Sequence, residues 1–588
     1  MSPSAARLAL LSGNEALALG AYDAGVTVAT GYPGTPSTEV LENLLRLEGI
    51  HAEWSVNEKV AFEAAFGASL AGVRAMAVMK HVGVNVAADP LLTASYTGVN
   101  AGLVLMAADD PGMFSSQNEQ DTRQYARMAK IPCLEPSDSQ EALDFVKAAF
   151  ELSEGFDTPV LLRTTTRISH SKSIVNTASP ARPKGRGVHR DFAKYVMLPS
   201  TGRGRHELAE ERLARLARFA ETSPLNQVHE GGKSLGIIVS GISYQYAREA
   251  FPDASFLKLG ITYPLPEALI REFSRKVKKL AVVEELDPFI EQQVRAMGIK
   301  IHYGKGYLSP CGEYSKDSIY QALSGKKLPV RKPVDGLVGR PPTFCPGCSH
   351  RGLFTVLSKL RVFVCGDIGC YTLGALPPFS ALHSTICMGA SIPGAHGMSK
   401  ALRQQGIMQK PVAVIGDSTF LHSGITGLIN MVYNGGNAVV IIMNNDTTGM
   451  TGGQEHPGTG RTASGAKAQK LDIKALCGAL GAKRVREIDT GDLSGLEKTL
   501  KKELVSEGLS VLISNQPCAL KYKVSGRPLE VDNSLCDACK RCLKAGCVAL
   551  MLAGIRGKWK VEIDPHLCTG CGVCRQLCGA GAIKGGGA

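Results

Sequence analysis

The chain is expected to be an α/β protein of several doubly wound, mostly parallel sheets, followed by a small cysteine-rich module. Three observations lead there. Apolar runs of strand length alternate with helix-length stretches over most of the 588 residues, in the rhythm of βαβ units. A composition of 44% hydrophobic residues, 65 glycines and only 20% charged residues suits parallel strands buried on both faces and joined by tight turns. Eight of the 17 cysteines fall at position 536 or later.

The first α/β unit is expected over residues 1–170, with strands near 26–29, 75–79, 102–107 and 159–163. Residues 171–232 turn basic and Pro/Gly-punctuated, apart from a helical patch at 207–221, and read as a linker. A second α/β unit covers 233–324, with strands near 235–239, 256–259 and 280–283. Residues 325–342, rich in Lys, Arg, Pro and Gly, read as another linker. A third α/β unit runs from 343 to 520, and the cysteine module occupies 521–588. No apolar run approaches the ~20 residues of a membrane span. Asn14 and Glu15 interrupt the early run Leu8–Leu11, so no signal peptide is expected, and so many thiols without secretion point to the cytoplasm. The net charge of +13 reads as a solvated surface, with neither nucleic acid nor membrane as a partner.

The cysteines recur as Cys536, Cys539, Cys542, Cys547 and as Cys568, Cys571, Cys574, Cys578. Three thiolates at two-residue spacing overfill a tetrahedral zinc site but can grip three irons of a cubane, while the fourth Cys of each run reaches across to the other cluster. Two [4Fe-4S] clusters are therefore expected, one on Cys536, Cys539, Cys542 and Cys578, the other on Cys568, Cys571, Cys574 and Cys547. This is the bacterial di-cluster ferredoxin pattern, with two departures. Four residues precede Cys547 where three are usual, and Val548 and Gly579 stand where Pro is usual. From Lys521 onward 11 Lys and Arg stand against 5 Asp and Glu, a basic surround that could steer an acidic electron carrier.

In the third unit, the strand 411–415 ends in Gly416-Asp417-Ser418, and a second strand, 438–443, ends in Asn444-Asn445. A single crossover helix between them, expected at 422–434, makes the strands parallel and brings Asp417 and Asn445 to one crevice at their carboxyl ends. A carboxylate, an amide oxygen and a third oxygen, the Thr447 carbonyl, suit Mg2+ that keeps phosphate ligands. The spacing resembles the Gly-Asp-Gly to Asn-Asn motif of thiamine-diphosphate enzymes, with Ser418 in place of the last glycine. Thiamine chemistry also needs a carboxylate against the aminopyrimidine. Glu58, ahead of the small-residue helix 60–70, is the candidate, with Glu63 as its rival.

Thr451-Gly452-Gly453-Gln454 resembles the Thr-Gly-Gly-Gln of pyruvate:ferredoxin oxidoreductases, and further motifs extend the resemblance to nearly the whole chain: Gly31-Tyr32-Pro33-Gly34-Thr35-Pro36-Ser37, Met79-Lys80-His81-Val82-Gly83-Val84-Asn85 and Cys345-Pro346-Gly347-Cys348-Ser349-His350. Together with the terminal cysteines they resemble the alpha subunits of indolepyruvate ferredoxin oxidoreductases, within the 2-oxoacid:ferredoxin oxidoreductases. The resemblance implies a pyrimidine-binding thiamine domain at 1–170, a transketolase-C-like domain at 233–324, a diphosphate- and Mg-binding domain at 343–520 and a ferredoxin domain at 521–588. It implies oxidative decarboxylation of arylpyruvates to aryl-acetyl-CoA, with coenzyme A as co-substrate, soluble ferredoxin as acceptor and a smaller beta subunit as partner in an α2β2 complex. Other 2-oxoacids, such as pyruvate or branched-chain acids, and non-oxidative decarboxylation are the alternatives. Thr35 matches a threonine that approaches substrate in the family. Arg123 is either a carboxylate anchor or a surface arginine. Lys80, His81 and Asn85 either line the same mouth or serve the strand end. Cys345, Cys348, Cys370 and Cys518 are candidates for a third [4Fe-4S] cluster, with a zinc site or plain buried thiols as alternatives. Cys133, Cys311, Cys387 and Cys477 are expected to be inert core residues.

Overall fold

A computed structural model describes residues 7–177, 185–329, 336, 337, 339, 341–524, 526–555 and 558–585. The chain divides into two compact units, Met1–Pro333 and Val334–Ala588. Residues 178–184 of the first expected linker and 330–335, 338 and 340 of the second lie outside the described residues.

The first unit is organised by a seven-stranded sheet. Six strands run parallel, in the spatial order Cys133–Leu134, Val160–Thr165, Leu103–Asp109, Ala75–Lys80, Val28–Gly31, His51–Trp54. The alternation of side chains explains why these strands read as unbroken apolar runs. Met76, Val78, Val104 and Met106 enter one core, while Ala75, Ala77, Leu103 and Leu105 enter another on the opposite face. The seventh strand, Ile261–Tyr263, pairs antiparallel with Cys133–Leu134. Thus the stretch expected as a second α/β domain donates an edge strand to the first sheet. Its own sheet holds Lys279–Val283, Gly232–Ser240 and Ala254–Leu259 in parallel, with Gln227–His229 antiparallel at the edge.

Residues 171–232 are more structured than a linker. Lys172–Thr177 pairs antiparallel with Arg7–Ser12, and a 24-residue helix, Pro199–Thr222, replaces the shorter patch expected there. Two of its arginines reach inward: Arg205 donates to the Tyr96 and Thr97 carbonyls and Arg212 to those of Asp157 and Ser95, satisfying helix ends of the first unit.

The second unit holds a five-stranded, all-parallel sheet in the order Val364–Gly366, Val412–Gly416, Val439–Asn444, Ser510–Asn515, Val485–Ile488. The cysteine module is not a separate bead. Leu529, Cys542, Val561, Val573, Cys574 and Ile583 share one buried core with Phe344, Leu353, Val414 and Ile441. Among the described residues no helix is long and apolar enough to cross a membrane.

Candidate functional site

The strands Val412–Gly416 and Val439–Asn444 are adjacent and parallel, so their carboxyl ends open on the same side of the sheet. A helix begins at Asp417, at once after the first strand, and passes through a π-type stretch at Phe420–Gly424 before continuing over Ile425–Tyr433. It therefore starts five residues earlier than expected.

Asp417 is buried and fixed by backbone donors. Its Oδ1 accepts from Ser418 N at 2.9 Å, and its Oδ2 accepts from Asn445 N at 3.1 Å and Thr447 N at 3.3 Å. The Asn445 side-chain oxygen lies 2.8 Å from the Thr447 carbonyl oxygen and 3.3 Å from Asp417 Oδ1. Three acceptors without a hydrogen between them repel one another. Either the amide turns over to donate to both oxygens, or a cation sits among the three. Ligands at octahedral Mg2+ distance are about 2.9 Å apart along an edge, and the observed separations bracket that value. The donor set fits a magnesium ion, and a turned Asn445 amide satisfies the same oxygens without one.

The loop beyond Asn445 is self-braced: Thr448 N donates to Gln454 O, Gly453 N to Thr448 O, and Thr451 Oγ1 to Gln454 Oε1. Gly452 and Gly453 have φ of 123° and 89°, which side chains other than hydrogen rarely tolerate. The loop delivers His456, whose Nε2 stands 3.2 Å from Asp417 Oδ2. Sequence reasoning overlooked His456; its place two residues after Thr451–Gln454 was the available signal. Asp367 was also overlooked. Buried, it accepts from Ile368, Gly389 and Ser391 N–H groups and ties the loop carrying Cys370 to the helix Ser391–Gln404.

The cysteines assemble in the expected sets. One small cavity is lined by Cys536, Cys539, Cys542 and Cys578, and another by Cys547, Cys568, Cys571 and Cys574. The extra residue before Cys547 is absorbed in a 3-10 turn, Arg541–Ala545, followed by Gly546 at φ 59°. Cys345, Cys348, Cys370 and Cys518 also lie near one another: burial, then the charges of Cys518 and Cys345, pushes Cys370 up to about 11, and burial pushes Cys348 up to about 12. Thiols so placed stay protonated unless a cationic centre draws the thiolates in. This group borders the cation loop, since Cys518 N donates to Asn445 O and a Cβ on Gly449 would lie 3.5 Å from Cys370 Sγ. His350, stacked on Phe344, is held neutral with its pKa down at about 4 by burial, and its Nδ1 lies 3.1 Å from Cys348 Sγ. Of the cysteines expected to be inert core, Cys133 and Cys477 are buried, whereas Cys311 and Cys387 are exposed.

In the first unit, Asn57 caps the helix Glu58–Leu70 by accepting from Val60 N, which sets Glu58 at the first turn with 5% exposure. Gly83 makes room for it: a Cβ there would come within 2.6 Å of Glu58 Cγ and 2.7 Å of Oε1. Glu63 is instead half-exposed in an ion pair with Lys59 and is not the buried carboxylate. Lys80 is buried, which lowers its pKa to about 8 against the opposing charges of Asp110 and Glu58. Its Nζ donates to Ser115 O, and Ser115 Oγ donates to the carbonyl of half-buried Thr35, so the 31–37 and 110–116 loops are stitched to each other beside Lys80. Tyr125 reaches Asn85 Oδ1, and His81 Nε2 lies 3.2 Å from Asn118 O.

Arg123 needs correcting on both counts. It is neither at the surface nor free to anchor a carboxylate substrate. Wholly buried, it pairs with Asp121 at 2.5 Å and Glu284 at 2.8 Å and donates to the Glu285 carbonyl. Glu284 follows the strand Lys279–Val283, so Arg123 joins the two sheets of the first unit.

Three family models match the chain: pyruvate flavodoxin/ferredoxin oxidoreductase, thiamine diphosphate-binding, over residues 19–198; the C-terminal TPP-binding domain of thiamine pyrophosphate enzymes over 367–514; and a 4Fe-4S binding domain over 561–584. The chain is similar to the indolepyruvate oxidoreductase subunit IorA of Methanothermobacter thermautotrophicus, at 42% identity over 98% of this chain and 97% of the relative. The same subunit of Archaeoglobus fulgidus is 40% identical over 98% and 97%. The 2-oxoglutarate synthase subunit KorA of Archaeoglobus fulgidus is 28% identical over 47% of this chain and 88% of its own length.

Proposed function

This chain belongs to the family of indolepyruvate oxidoreductase IorA subunits, and on that premise we infer that it catalyses thiamine-diphosphate-dependent oxidative decarboxylation of 2-oxoacids with transfer of the electrons to ferredoxin. Arylpyruvates such as indolepyruvate are its substrates. One observation carries the reading: residues 341–585 join a crevice lined by Asp417, Asn445 and the Thr447 carbonyl with two four-thiol cavities in a single compact unit.

Thiamine diphosphate, when bound, supplies the nucleophilic carbon that attacks the keto group and accepts the electron pair left by departing CO2. The chain supplies the rest. Asp417, Asn445 and the Thr447 carbonyl would hold Mg2+ against the diphosphate, with Gly416, Ser418 and Asn444 shaping the turn beneath it. Glu58 would hydrogen-bond the aminopyrimidine N1′, and its fixed, buried position at the first turn of the helix, close against Gly83, supports that role. Thr35 would face the substrate. The thiols of Cys345, Cys348, Cys370 and Cys518 would carry a third [4Fe-4S] cluster between the cation loop and the two ferredoxin-type clusters. Clusters held by these thiols would supply one-electron acceptors for the pair, and coenzyme A would be the thiol that takes up the acyl group. A smaller beta subunit in an α2β2 complex, a soluble ferredoxin and a cytoplasmic setting complete the proposal.

The test is oxygen-free co-purification with the partner subunit, followed by viologen reduction across a panel of 2-oxoacids with and without coenzyme A. Rates that need coenzyme A and favour aryl side chains are expected. Equal or faster rates with pyruvate or a branched-chain acid would overturn the aryl assignment, and aldehyde formation without dye reduction would overturn the oxidative one.

A further inference from the structure

Arg351 is the second residue of the helix His350–Leu360 and only 1% exposed. Its guanidinium is spent on carbonyls: Nη1 donates to Ala545 O at 2.7 Å, and Nη2 to Cys345 O at 2.9 Å and to Phe344 O. Its Nε–H is buried with no partner. Carbonyls orient a guanidinium but do not neutralise it, and a desolvated cation is costly unless an anion stands near. The anions at hand are cysteine-derived. Arg351 lines the cavity formed by Cys547, Cys568, Cys571 and Cys574, and it grips the backbone of the Cys345 loop on its other side.

Two features tie the arrangement to the sequence. The extra residue between Cys542 and Cys547 belongs to the turn that presents the Ala545 carbonyl to Arg351. Gly347, at φ 74°, lets the Cys345–Cys348 loop touch the loop between Cys568 and Cys571, since a Cβ there would be 2.6 Å from Thr569 Oγ1. The guanidinium therefore stands where two cysteine-lined sites meet.

We propose that Arg351 sets the reduction potential of the cluster held by Cys547, Cys568, Cys571 and Cys574, its fixed charge and unpartnered Nε–H making that cluster the preferred electron acceptor next to the Cys345 loop. Four thiolates leave such a cluster negative, and reduction adds one more negative charge. A buried positive charge favours the reduced form, as does a hydrogen bond to cluster or cysteine sulfur. Arg541 and Lys540 near the other cluster lie at the protein surface, where solvent and salt screen them. One electron moves from a reduced neighbour to this cluster, with no bond or proton changing place. Arg351 is a positioning residue here, acting through the cluster rather than on substrate.

The inference rests on the proposed reading of the eight terminal cysteines, so iron analysis comes first. A metal-free tail would sink that reading, whereas iron-replete protein tests Arg351. Redox titration of the oxygen-free complex, followed by electron paramagnetic resonance, is then run on the parent, Arg351→Gln and Arg351→Lys. Arg351→Gln should shift the oxidised-to-reduced ratio of this cluster at fixed poise at least tenfold toward oxidised, about 59 mV for one electron, and leave the Cys536-side cluster unmoved. Arg351→Lys should recover most of the shift. A ratio within twofold of the parent, an equal shift in both clusters, or an Arg351→Lys value as low as that of Arg351→Gln would overturn the proposal. Should Arg351→Gln fail to assemble, Cys539→Ser decides in an otherwise native chain. The ferredoxin-type cluster that keeps its signal must be the higher-potential one of the parent, and finding it to be the lower would overturn the assignment.

Discussion

Replacing Asp417 with Asn changes one oxygen to NH2 and tests the cation site from two sides. In the parent, Oδ2 serves the Asn445 and Thr447 N–H groups, and Oδ1 faces the Asn445 side-chain oxygen at 3.3 Å. The new amide can keep its oxygen toward the two N–H groups and turn its nitrogen toward the Asn445 oxygen. It thereby relieves the repulsion of the acceptor cluster, at the expense of meeting the Ser418 N–H, which donates to Oδ1 in the parent. These effects are each worth about 1–3 kcal/mol and oppose one another, so the cofactor-free protein should keep its melting temperature to within a few degrees. Cofactor binding should behave differently. Removing the charged member of a buried, hydrogen-bonded ion pair costs about 3–5 kcal/mol, and at 1.4 kcal/mol per decade that is roughly a 10²- to 10³-fold loss of affinity for Mg2+-thiamine diphosphate. Isothermal titration on oxygen-free protein measures the affinity, and iron content checks that the cysteine module is intact. Retention of affinity within threefold, with a stable fold, would refute the assignment of Asp417 to the cation.

Three further outcomes are expected. Gly83→Ala should lower turnover about 10²- to 10⁴-fold by displacing Glu58, whereas Gly67→Ala, with nothing within 4 Å of its new methyl, should leave turnover alone and stabilise the helix by ~0.5–1 kcal/mol; steady-state viologen assays and denaturant melts read both. Arg123→Ala should destabilise the protein by about 3–5 kcal/mol by stranding Asp121 and Glu284, while the KM for 2-oxoacid in the folded fraction stays unchanged; a selective KM increase would restore Arg123 as a substrate anchor. Burial lifts the Glu285 carboxyl from 4.5 to about 7, so the folded state holds a proton that the unfolded chain releases between those values, and stability falls as pH rises through that window. Glu285→Gln should flatten that fall and gain on the order of 1–3 kcal/mol above pH 7, as urea melts at pH 5 and pH 8 would show.

What the sequence made legible was chemistry with a fixed spacing. The eight cysteines from Cys536 to Cys578 line two cavities in the sets that their two-residue spacing led one to expect. Asp417 and Asn445 come together because one crossover helix separates two parallel strands. The strands themselves were readable where both faces are buried, as at Ala75–Lys80 and Val439–Asn444. Long-range partners were not readable. Arg123 is decided by Glu284, 161 residues away, and no local pattern says whether an arginine meets water, substrate or a buried carboxylate. Ile261–Tyr263 is too short for periodicity to mark as a strand, and only its pairing with Cys133–Leu134 defines it. The stretch 171–232 was misjudged as a linker because Arg205 and Arg212, drawn in against carbonyls, look like solvated charge in sequence.

The most direct measurement mixes the oxygen-free, iron-replete complex, loaded with Mg2+-thiamine diphosphate, with indolepyruvate in the absence of any external acceptor and follows the iron–sulfur absorbance and paramagnetic signals. The substrate should reduce clusters within this chain, and Asp417→Asn should abolish that reduction while dithionite still reduces them. Clusters that stay oxidised in the parent complex while CO2 is released would contradict electron flow from the thiamine site into the cysteine module.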